Sequence, residues 1–237
     1  MDGWLVPPPK DPAKTPQEFR REREEKVNDL IQRGFLRSER LRAAMLKVPR
    51  EDFIPASYRD YAYREVPLPL PGEKATISCP HSYPLFYEPL DLDAGDTFLE
   101  VGLGSGYGTA LAREVVGEGG LVVSIEIDPL TFKFAKENLV QAGYTDIILL
   151  NRDGALGYPD MSPYDSICMT AACPQIPPPL VEQLKIGGRL IAPVIANDTQ
   201  NLMLLEKYQE FTTREVICQV LYLSLRGQYG VHDEGDS

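Results

Sequence analysis

The chain has 237 residues, with 35 acidic against 24 basic side chains, a formal net charge of −11 and a pI near 4.7. Binding to nucleic acid or to an anionic membrane depends on lysine and arginine, so this charge disfavours both as partners. Hydrophobic residues make up 43% of the sequence, and no apolar run reaches the roughly 20 residues that a transmembrane helix needs. One large domain, or one domain with a small extension, is expected from the length.

The chain begins with a proline-rich segment that leads into a helix. Residues 1–15 predict an extended arm, and they lack the basic and apolar regions of a secretory signal. Apolar residues at helical spacing among dense charge predict an amphipathic helix over 16–33. Thr15 and Glu18 predict a capping box at its start, and Gly34 is the predicted stop.

Two further helices and a long loop complete a helical cap over residues 16–90, within a single domain over 16–230. The second helix is predicted over 38–49, opening at a serine and ending at a proline, and a short helix over 83–90. Between them, residues 51–75 are rich in proline and tyrosine without steady periodicity, which predicts a structured loop.

From Thr97 onward, runs rich in β-branched residues alternate with helical patterns near 107–116, 129–142 and 178–185. This alternation predicts a Rossmann-like, doubly wound α/β fold with a mostly parallel sheet. The last two strands have no helix between them, which predicts antiparallel C-terminal strands before an acidic tail over 231–237. The predicted strands are 97–101, 121–125, 146–150, 164–169, 189–194, 201–207 and 215–224.

A glycine-rich loop follows the first strand of this series, with Glu100 just before Gly102, Gly104 and Gly106. Glycines between a strand and a helix let a ligand approach the backbone closely at the carboxyl edge of a sheet. Glu126 ends the second strand about 20 residues later, where a carboxylate can accept both hydroxyls of a ribose. Together these features indicate a nucleoside-containing cofactor; the alternative is a tight turn with a solvent-facing glutamate.

The details of the loop distinguish between cofactors. A dinucleotide fingerprint needs glycine at the position of Tyr107, and here the acidic Glu100 precedes the glycines instead. A carboxylate suits a cationic ligand, so S-adenosyl-L-methionine fits this loop better than NAD. After the third strand, Asp153 before Gly154 is placed to accept a hydrogen bond from an adenine amino group; alternatively the pair forms only a turn.

No metal site and no disulfide framework are expected. The cysteines form no CxxC pair, and of the two histidines, His81 and His232, the second lies in the acidic tail. Reduced, structural cysteines are typical of a cytoplasmic protein. The cysteines are Cys79, Cys168, Cys173 and Cys218.

These motifs resemble the protein-L-isoaspartate O-methyltransferase family, over roughly residues 20–230. The sequence V-P-L-P-L at 66–70, followed by A-T-I-S-C-P-H at 75–81, is similar to a signature of that family that generic methyltransferases lack. Other similar segments are D-G-A-L-G-Y at 153–158, P-Y-D at 163–165, T-A-A at 170–172, L-K-I-G-G-R-L-I at 184–191 and L-S-L-R-G-Q-Y-G at 223–230.

The resemblance implies methyl transfer from S-adenosyl-L-methionine to the free α-carboxylate of an L-isoaspartyl residue in a damaged protein. The ester then cyclises spontaneously to a succinimide. Ser78 is the implied catalytic serine beside the substrate carboxylate, with Ala75, Thr76 and Ile77 in the same loop between substrate and cofactor. Three residues after Ser78, His81 is expected to orient this loop through backbone hydrogen bonds; the alternative is a direct role at the substrate. The implied cofactor residues are Gly102, Gly104 and Gly106 as the floor, Glu126 on the ribose, Ile127 on the adenine, and Asp153 with Gly154 around the adenine. Glu100 is expected near the positive end of the cofactor.

Some residues depart from the family pattern, among them Leu103 in the glycine loop, Arg152 and Arg226. Ser82 and Tyr83 adjoin the active-site loop and therefore bear on substrate preference. One alternative is a methyltransferase that esterifies an aspartate of a dedicated peptide or partner protein. Another is a noncatalytic binding protein that retains the fold. The interpretation as an isoaspartyl methyltransferase predicts a monomer that acts on isoaspartyl proteins and peptides.

Overall fold

The computed structural model describes residues 6–231. The first residues of the proline-rich arm, the acidic tail after Val231, and His232 lie outside the described residues. Among residues 6–231, none of the helices combines the length and the apolar character that a bilayer-spanning helix requires.

The α-helices are distributed between the N-terminal cap and the sheet. Within the described residues they are α1 (Pro16–Gln32), α2 (Glu39–Lys47), α3 (Ser82–Leu90), α4 (Tyr107–Val116), α5 (Pro129–Gln141) and α6 (Pro178–Gln183). The predicted capping box is confirmed at α1, where Thr15 Oγ1 accepts from the Glu18 N–H and the Glu18 carboxylate accepts from the Thr15 N–H. Asp128 caps α5 through the Leu130 and Thr131 N–H groups.

The strands form a seven-stranded sheet and a small hairpin. They are β1 (Leu68–Pro69), β2 (Thr76–Ile77), β3 (Thr97–Val101), β4 (Leu121–Glu126), β5 (Ile148–Asn151), β6 (Tyr164–Met169), β7 (Leu184–Ala196), β8 (Thr199–Lys207) and β9 (Thr212–Val220). In the large sheet the order is β5-β4-β3-β6-β7-β8-β9, with β3 to β7 parallel and β8 and β9 antiparallel. The predicted fold class is confirmed.

Several boundaries near the C-terminus differ from the sequence-based predictions, and two of the differences have a clear cause. The helix predicted over 178–185 ends at Gln183, because β7 begins at Leu184 and pairs with β6 before a register shift. The final strand stops at Val220 rather than continuing to residue 224, because the Tyr222 N–H and C=O bond the side chain of Gln200 on β8 instead of the β8 backbone.

The loop predicted over 51–75 contains short regular elements. Two 3-10 turns, at Arg50–Phe53 and Ala56–Tyr61, precede β1. The described part of the arm lies along the second turn: the Tyr61 hydroxyl donates to the Pro8 carbonyl at 3.1 Å, and Lys10 Nζ lies 2.8 Å from Asp60 Oδ2. Residues 6–15 therefore contact the second turn and form neither helix nor strand.

Successive residues of the central strands face opposite layers of the protein. Phe98 and Val122 belong to the core shared with the helical cap, whereas Leu99 and Val123 belong to the core that α6 covers. Burial on both faces accounts for the nearly continuous apolar sequence of these strands. Because β3, β4 and β6 are parallel, their carboxyl ends lie at one edge of the sheet. The order of the strands along the chain reverses between β3 and β6, and ligands of open α/β sheets bind at such a point.

Candidate active site

The glycine loop at the carboxyl end of β3 needs residues without side chains. Gly102 has a φ of +100°, and a Cβ atom there would collide with Thr170 Oγ1, which donates to the Gly102 carbonyl at 2.9 Å. Gly104 has a φ of +55°, and its Cβ position has no neighbouring atom within 4 Å. Gly106 is the residue before α4. The backbone thus forms a cradle that is open above Gly104.

Glu126 faces this cradle from the end of β4. Its Oε2 accepts from the Gly104 N–H at 3.1 Å, and its Oε1 accepts from the Asp128 N–H at 3.1 Å. Burial raises the pKa of the Glu126 carboxyl, while these N–H donors and the charge of Arg226 oppose the rise. Since each carboxylate oxygen can accept more than one hydrogen bond, Glu126 has acceptor capacity left for hydroxyl groups.

Glu100 lies beneath the loop rather than in the cradle. Its side chain is 2% exposed, and its carboxylate accepts hydrogen bonds from the hydroxyls of Thr109, Ser124 and Tyr87. Burial raises the pKa of Glu100 to about 7, against the effect of these three donors. All three partners belong to the protein. The Glu100 carboxylate therefore supports the glycine loop from the protein interior instead of making the predicted contact with a cofactor.

The residues predicted around the adenine lie at the ends of β4 and β5. Asp153 Oδ1 accepts from the Ala155 N–H at 2.9 Å, and Oδ2 accepts from the Gln228 N–H at 2.8 Å. A side chain on Gly154 would lie 2.7 Å from Val101 Cγ1, so glycine allows this turn to approach β3 closely. Ile127 is half-buried. Asp153 therefore forms a turn with the residues after it, and its hydrogen bond with Gln228 also anchors the C-terminal segment.

The predicted substrate loop leads from β1 through β2. Ala75 and Thr76 are half-buried, and the Ala75 carbonyl accepts from the Leu70 N–H at 2.9 Å. Ile77 is 1% exposed and packs into the core of the cap. The Ile77 side chain therefore anchors the loop, whereas the prediction placed it between substrate and cofactor.

A buried arginine fixes the backbone of Ser78. Arg50, 1% exposed, donates from Nη2 to the Ser78 carbonyl and from Nε to the Ala62 carbonyl, both at 2.6 Å. Its guanidinium lies 5.5 and 5.4 Å from the ring centroids of Tyr83 and Tyr107. Tyr107 is the first residue of α4, so Arg50 connects the Ser78 loop to the glycine loop. The sequence analysis missed Arg50, which no local motif marks.

On its other side, Ser78 is close to the C-terminal segment. Burial raises the pKa of Tyr222, while hydrogen bonding with the side chains of Ser82 and Ser78 opposes the rise. The following residues dock on the end of β6, where the Ala172 N–H donates to the Leu223 carbonyl at 2.8 Å. Ser78 therefore lies between the cap and the C-terminal segment.

His81 contacts Glu65 through its side chain, and its backbone also forms hydrogen bonds: its N–H donates to Glu65 Oε2 at 3.5 Å and its carbonyl accepts from the Leu85 N–H at 3.2 Å. Its Nδ1 lies 2.6 Å from Glu65 Oε2, and Lys26 Nζ lies 3.0 Å from Glu65 Oε1. Burial opposes ionisation of Glu65, but the contacts with His81 and Lys26 hold its pKa at about 2. Cys79 belongs to the same group, so a histidine and a cysteine are closer together than the sequence analysis recognised.

Two segments meet above Asp128, the residue that caps α5. The Glu73 N–H donates to Asp128 Oδ2 at 3.3 Å, which fixes the loop before β2. Arg226, from the C-terminal segment, lies 3.6 Å from the same oxygen and 3.5 Å from Glu73 Oε2. We call the trio of Glu73, Asp128 and Arg226 the clasp, because it joins both segments beside the end of β4.

Comparisons with known proteins decide the family. The family model described as "Protein-L-isoaspartate(D-aspartate) O-methyltransferase (PCMT)" matches residues 21–230. The chain belongs to this family. A protein-L-isoaspartate O-methyltransferase of Methanopyrus kandleri is 45% identical over 193 residues, covering 81% of this chain and 85% of the relative. One of Korarchaeum cryptofilum is 41% identical over 214 residues, covering 86% and 96%.

Two solved structures are similar to this chain in fold. A structure of a protein-L-isoaspartate O-methyltransferase gives a TM-score of 0.81 at 34% identity, covering 88% of this chain and 67% of that one. A Plasmodium falciparum structure in complex with S-adenosyl-L-homocysteine gives a TM-score of 0.77 at 22% identity, covering 86% and 98%, which supports the fold.

Within this family, the unusual residues beside the active-site loop point mainly inward. Ser82 is 9% exposed, and the Tyr83 ring packs edge-on against Tyr107 with centroids 4.8 Å apart. Arg226, by contrast, keeps 43% of its side chain exposed in the clasp. Of these three residues, Arg226 is therefore the one with an exposed side chain.

Proposed function

We infer that this chain is an S-adenosyl-L-methionine-dependent methyltransferase that esterifies the α-carboxylate of L-isoaspartyl residues in damaged proteins. Membership of the protein-L-isoaspartate O-methyltransferase family over residues 21–230 carries the inference. The geometry supports it, because Arg50 connects the Ser78 loop to the helix that follows the glycine loop. A methyl acceptor held at Ser78 and a donor held over the glycines would then be neighbours.

The residues at the ends of β3, β4 and β5 fit the cofactor. The open cradle above Gly104 accepts a group that approaches the backbone closely, and Glu126 has acceptor capacity for ribose hydroxyls. Ile127, Asp153 and Gly154 would bound the adenine. When bound, S-adenosyl-L-methionine supplies an electrophilic methyl group on a sulfonium, which is a good leaving group.

In this reaction the protein has to align the two reactants more than it has to transfer a proton. A carboxyl group has an ordinary pKa near ~4, so the substrate carboxylate is already ionised and nucleophilic at neutral pH. Correct orientation of two reactants can supply ~7–11 kcal/mol. We propose that the Ser78 hydroxyl donates a hydrogen bond that orients this carboxylate. A nucleophilic serine would need an activating base. The side chain that hydrogen-bonds Ser78 is the phenol of Tyr222, whose pKa, raised by burial, keeps it protonated at neutral pH.

Local positive charge offsets the acidity of the whole chain. A net charge of −11 repels a carboxylate substrate at long range. The buried guanidinium of Arg50 lies behind the Ser78 carbonyl, and Arg226 lies at the rim. Arg226 is paired with Asp128 and Glu73, whereas Arg50 bonds backbone carbonyls, so the charge of Arg50 is the one that supports binding of an anionic substrate near Ser78.

The test uses two peptides of the same sequence, one with L-isoaspartate and one with L-aspartate. The protein is incubated with S-adenosyl-L-methionine carrying a labelled methyl group, and base-labile methyl incorporation is measured. Label on the isoaspartyl peptide alone is expected. Label on the aspartyl peptide would favour an aspartate-specific methyltransferase, and label on neither peptide, with the cofactor bound, would favour a dedicated partner or a noncatalytic protein.

We also propose that the chain works as a monomer and binds no nucleic acid. The acidic charge supports the second point, because phosphate binding depends on lysine and arginine. Light scattering coupled to size exclusion measures the mass in solution, where 26.5 kDa is expected. A dimer mass, or retention of a labelled RNA at physiological salt, would contradict these points.

A further inference from the structure

Three side chains with different metal-binding atoms converge below the active-site serine. Glu65 comes from the segment before β1, and Cys79 and His81 come from the loop after β2. Their ligand atoms, a carboxylate oxygen, the Sγ atom and an imidazole nitrogen, all lie within 4.8 Å of one another. Among residues 6–231 this is the one group of three histidine, cysteine or acidic side chains with that proximity.

The donor set selects a class of ion. Thiolate and imidazole ligands suit zinc and related borderline ions, whereas magnesium and calcium prefer oxygen ligands alone. In a tetrahedral zinc site, neighbouring ligand atoms lie roughly 3.5 Å apart, given bonds of about 2.0–2.3 Å. Glu65, Cys79 and His81 would therefore reach an ion after movements on the order of 1 Å.

Neighbouring residues hold two of the three ligands in place. Lys26 Nζ lies 3.0 Å from Glu65 Oε1, which leaves Oε2 directed at His81 Nδ1, 2.6 Å away. The Phe35 ring lies 5.4 Å from the His81 ring, centroid to centroid. Such outer partners orient the ligands of metal sites and affect their affinity.

We propose that Glu65, Cys79 and His81 form a binding site for a divalent ion of the zinc class, with a fourth position open to water. The ion takes the place of the hydrogen between His81 Nδ1 and Glu65; the ring binds as a neutral imidazole with its hydrogen on Nε2, and any further proton passes to solvent. The Cys79 thiol loses its proton to solvent as the thiolate binds the ion.

An ion bound to Cys79 affects the active site, because Cys79 adjoins Ser78 in the chain. Cys79 follows Ser78 directly, and the Ser78 carbonyl is already fixed by Arg50. Drawing Cys79 toward an ion therefore moves the Ser78 side chain relative to its anchored backbone. A misplacement of about 1 Å in an aligned site can cost on the order of 100-fold in rate. Occupancy is expected to lower methyl transfer by roughly tenfold or more.

Cobalt(II) is the probe for binding, because a bond between cobalt and a thiolate gives a charge-transfer absorption band. The full-length protein is titrated with cobalt(II) without thiol reductants, and zinc(II) is then added to displace it. The expected result is one equivalent of cobalt with a thiolate band. In Cys79→Ala the band is expected to disappear, and affinity to fall by more than the roughly 10–100-fold that loss of an outer partner costs.

Matched controls separate this site from other thiols and from the tail. Cys218, half-buried in β9, is free like Cys79, so Cys218→Ala should keep the band. His232→Ala should also keep it. A band that persists in Cys79→Ala, a band lost in Cys218→Ala, or no band in the wild-type protein at millimolar cobalt would each overturn the proposal.

The inhibitory effect rests on the proposed function and is measured separately. Zinc(II) should inhibit methylation of the isoaspartyl peptide by the wild-type protein and leave Cys79→Ala active. Cobalt binding without zinc inhibition would keep the site but overturn its effect on Ser78. If no methylation occurs even without metal, the proposed function fails, while the absorption experiment still decides the metal site.

Discussion

Arg226 Nη2 lies 3.6 Å from Oδ2 of Asp128, although the two residues belong to opposite ends of the Rossmann-like unit. Asp128 caps α5 two residues after Glu126, the predicted ribose ligand. Arg226 also lies 3.5 Å from Glu73, on the loop that leads to Ser78. The clasp therefore connects the cofactor side and the substrate side of the site through one guanidinium.

Arg226→Met should weaken binding of S-adenosyl-L-homocysteine moderately. Partly exposed ion pairs contribute about 0.2–1 kcal/mol, so the dissociation constant should rise by up to about fivefold. Calorimetry at low and high salt checks this, because salt should shrink the difference. Arg214→Met on the exposed side of β9 is the control and should change nothing. Tighter binding in Arg226→Met would show that the clasp obstructs the site.

Arg50→Lys should impair both stability and turnover. Lysine cannot donate to the Ser78 and Ala62 carbonyls at once with the fork geometry of arginine, and a buried acceptor left unpaired costs about 1–3 kcal/mol. Urea unfolding should show this loss. Methyl transfer should fall while the affinity for S-adenosyl-L-homocysteine changes little, because Arg50 holds the substrate loop.

The control for Arg50→Lys is Arg64→Lys, at an exposed arginine over the Tyr61 ring. It should leave unfolding and turnover nearly unchanged. If Arg50→Lys lowered stability but left turnover intact after correction for unfolded protein, its role would be structural only.

The part of the site that sequence could predict is the part built from consecutive strand ends. Gly102, Glu126 and Asp153 each lie at or just after the end of a strand of a βαβ series, and parallel strands bring their carboxyl ends to one edge. Arg50 is 28 residues from Ser78, and Arg226 is 153 residues from Glu73. Such pairs depend on how the cap and the C-terminal segment pack, which no local motif specifies.

The same distinction explains the errors at single residues. Glu100 belongs to the glycine motif, but its direction depends on Thr109 and Ser124, which turn its carboxylate into the protein. The pairing of His81 depends on Glu65, 16 residues earlier in a segment without periodicity. Spacing identified the right residues in both cases and not the direction of their side chains.

Ser78→Ala should lower turnover of the isoaspartyl peptide without weakening cofactor binding. A hydrogen bond to a charged group contributes about 1.5–3 kcal/mol, so kcat/KM should fall by roughly 10–100-fold. Steady-state kinetics and calorimetry with S-adenosyl-L-homocysteine measure the two effects. Equal losses in both would mean that the substitution disturbs the whole loop, and an unchanged kcat/KM would remove Ser78 from the mechanism.

Glu126→Gln should produce the opposite pattern. The amide keeps one acceptor oxygen for the Gly104 N–H but loses the charge and the second acceptor. Affinity for S-adenosyl-L-homocysteine should therefore fall by roughly 10–100-fold, from the loss of a charge-assisted hydrogen bond. Calorimetry measures the change, with Ser78→Ala as the matched control. Unchanged affinity would contradict the ribose contact.

Glu100→Gln should change how stability depends on pH. Burial raises the pKa of Glu100 from 4.5 to about 7, so between these values the folded protein holds a proton that the unfolded chain has lost. The stability from this group is complete below the unfolded pKa and is lost as pH rises through about 7. Glutamine is neutral throughout. The variant should therefore gain stability relative to the wild type as pH rises from about 5 to 7, by up to about 1.4 kcal/mol per pH unit.

Urea unfolding between about pH 5 and 7 measures this gain in stability, and Glu24→Gln on the exposed side of α1 should show none. A variant that became relatively less stable over the same range would mean that the ionised carboxylate, bonded to Thr109 and Ser124, is the preferred buried form.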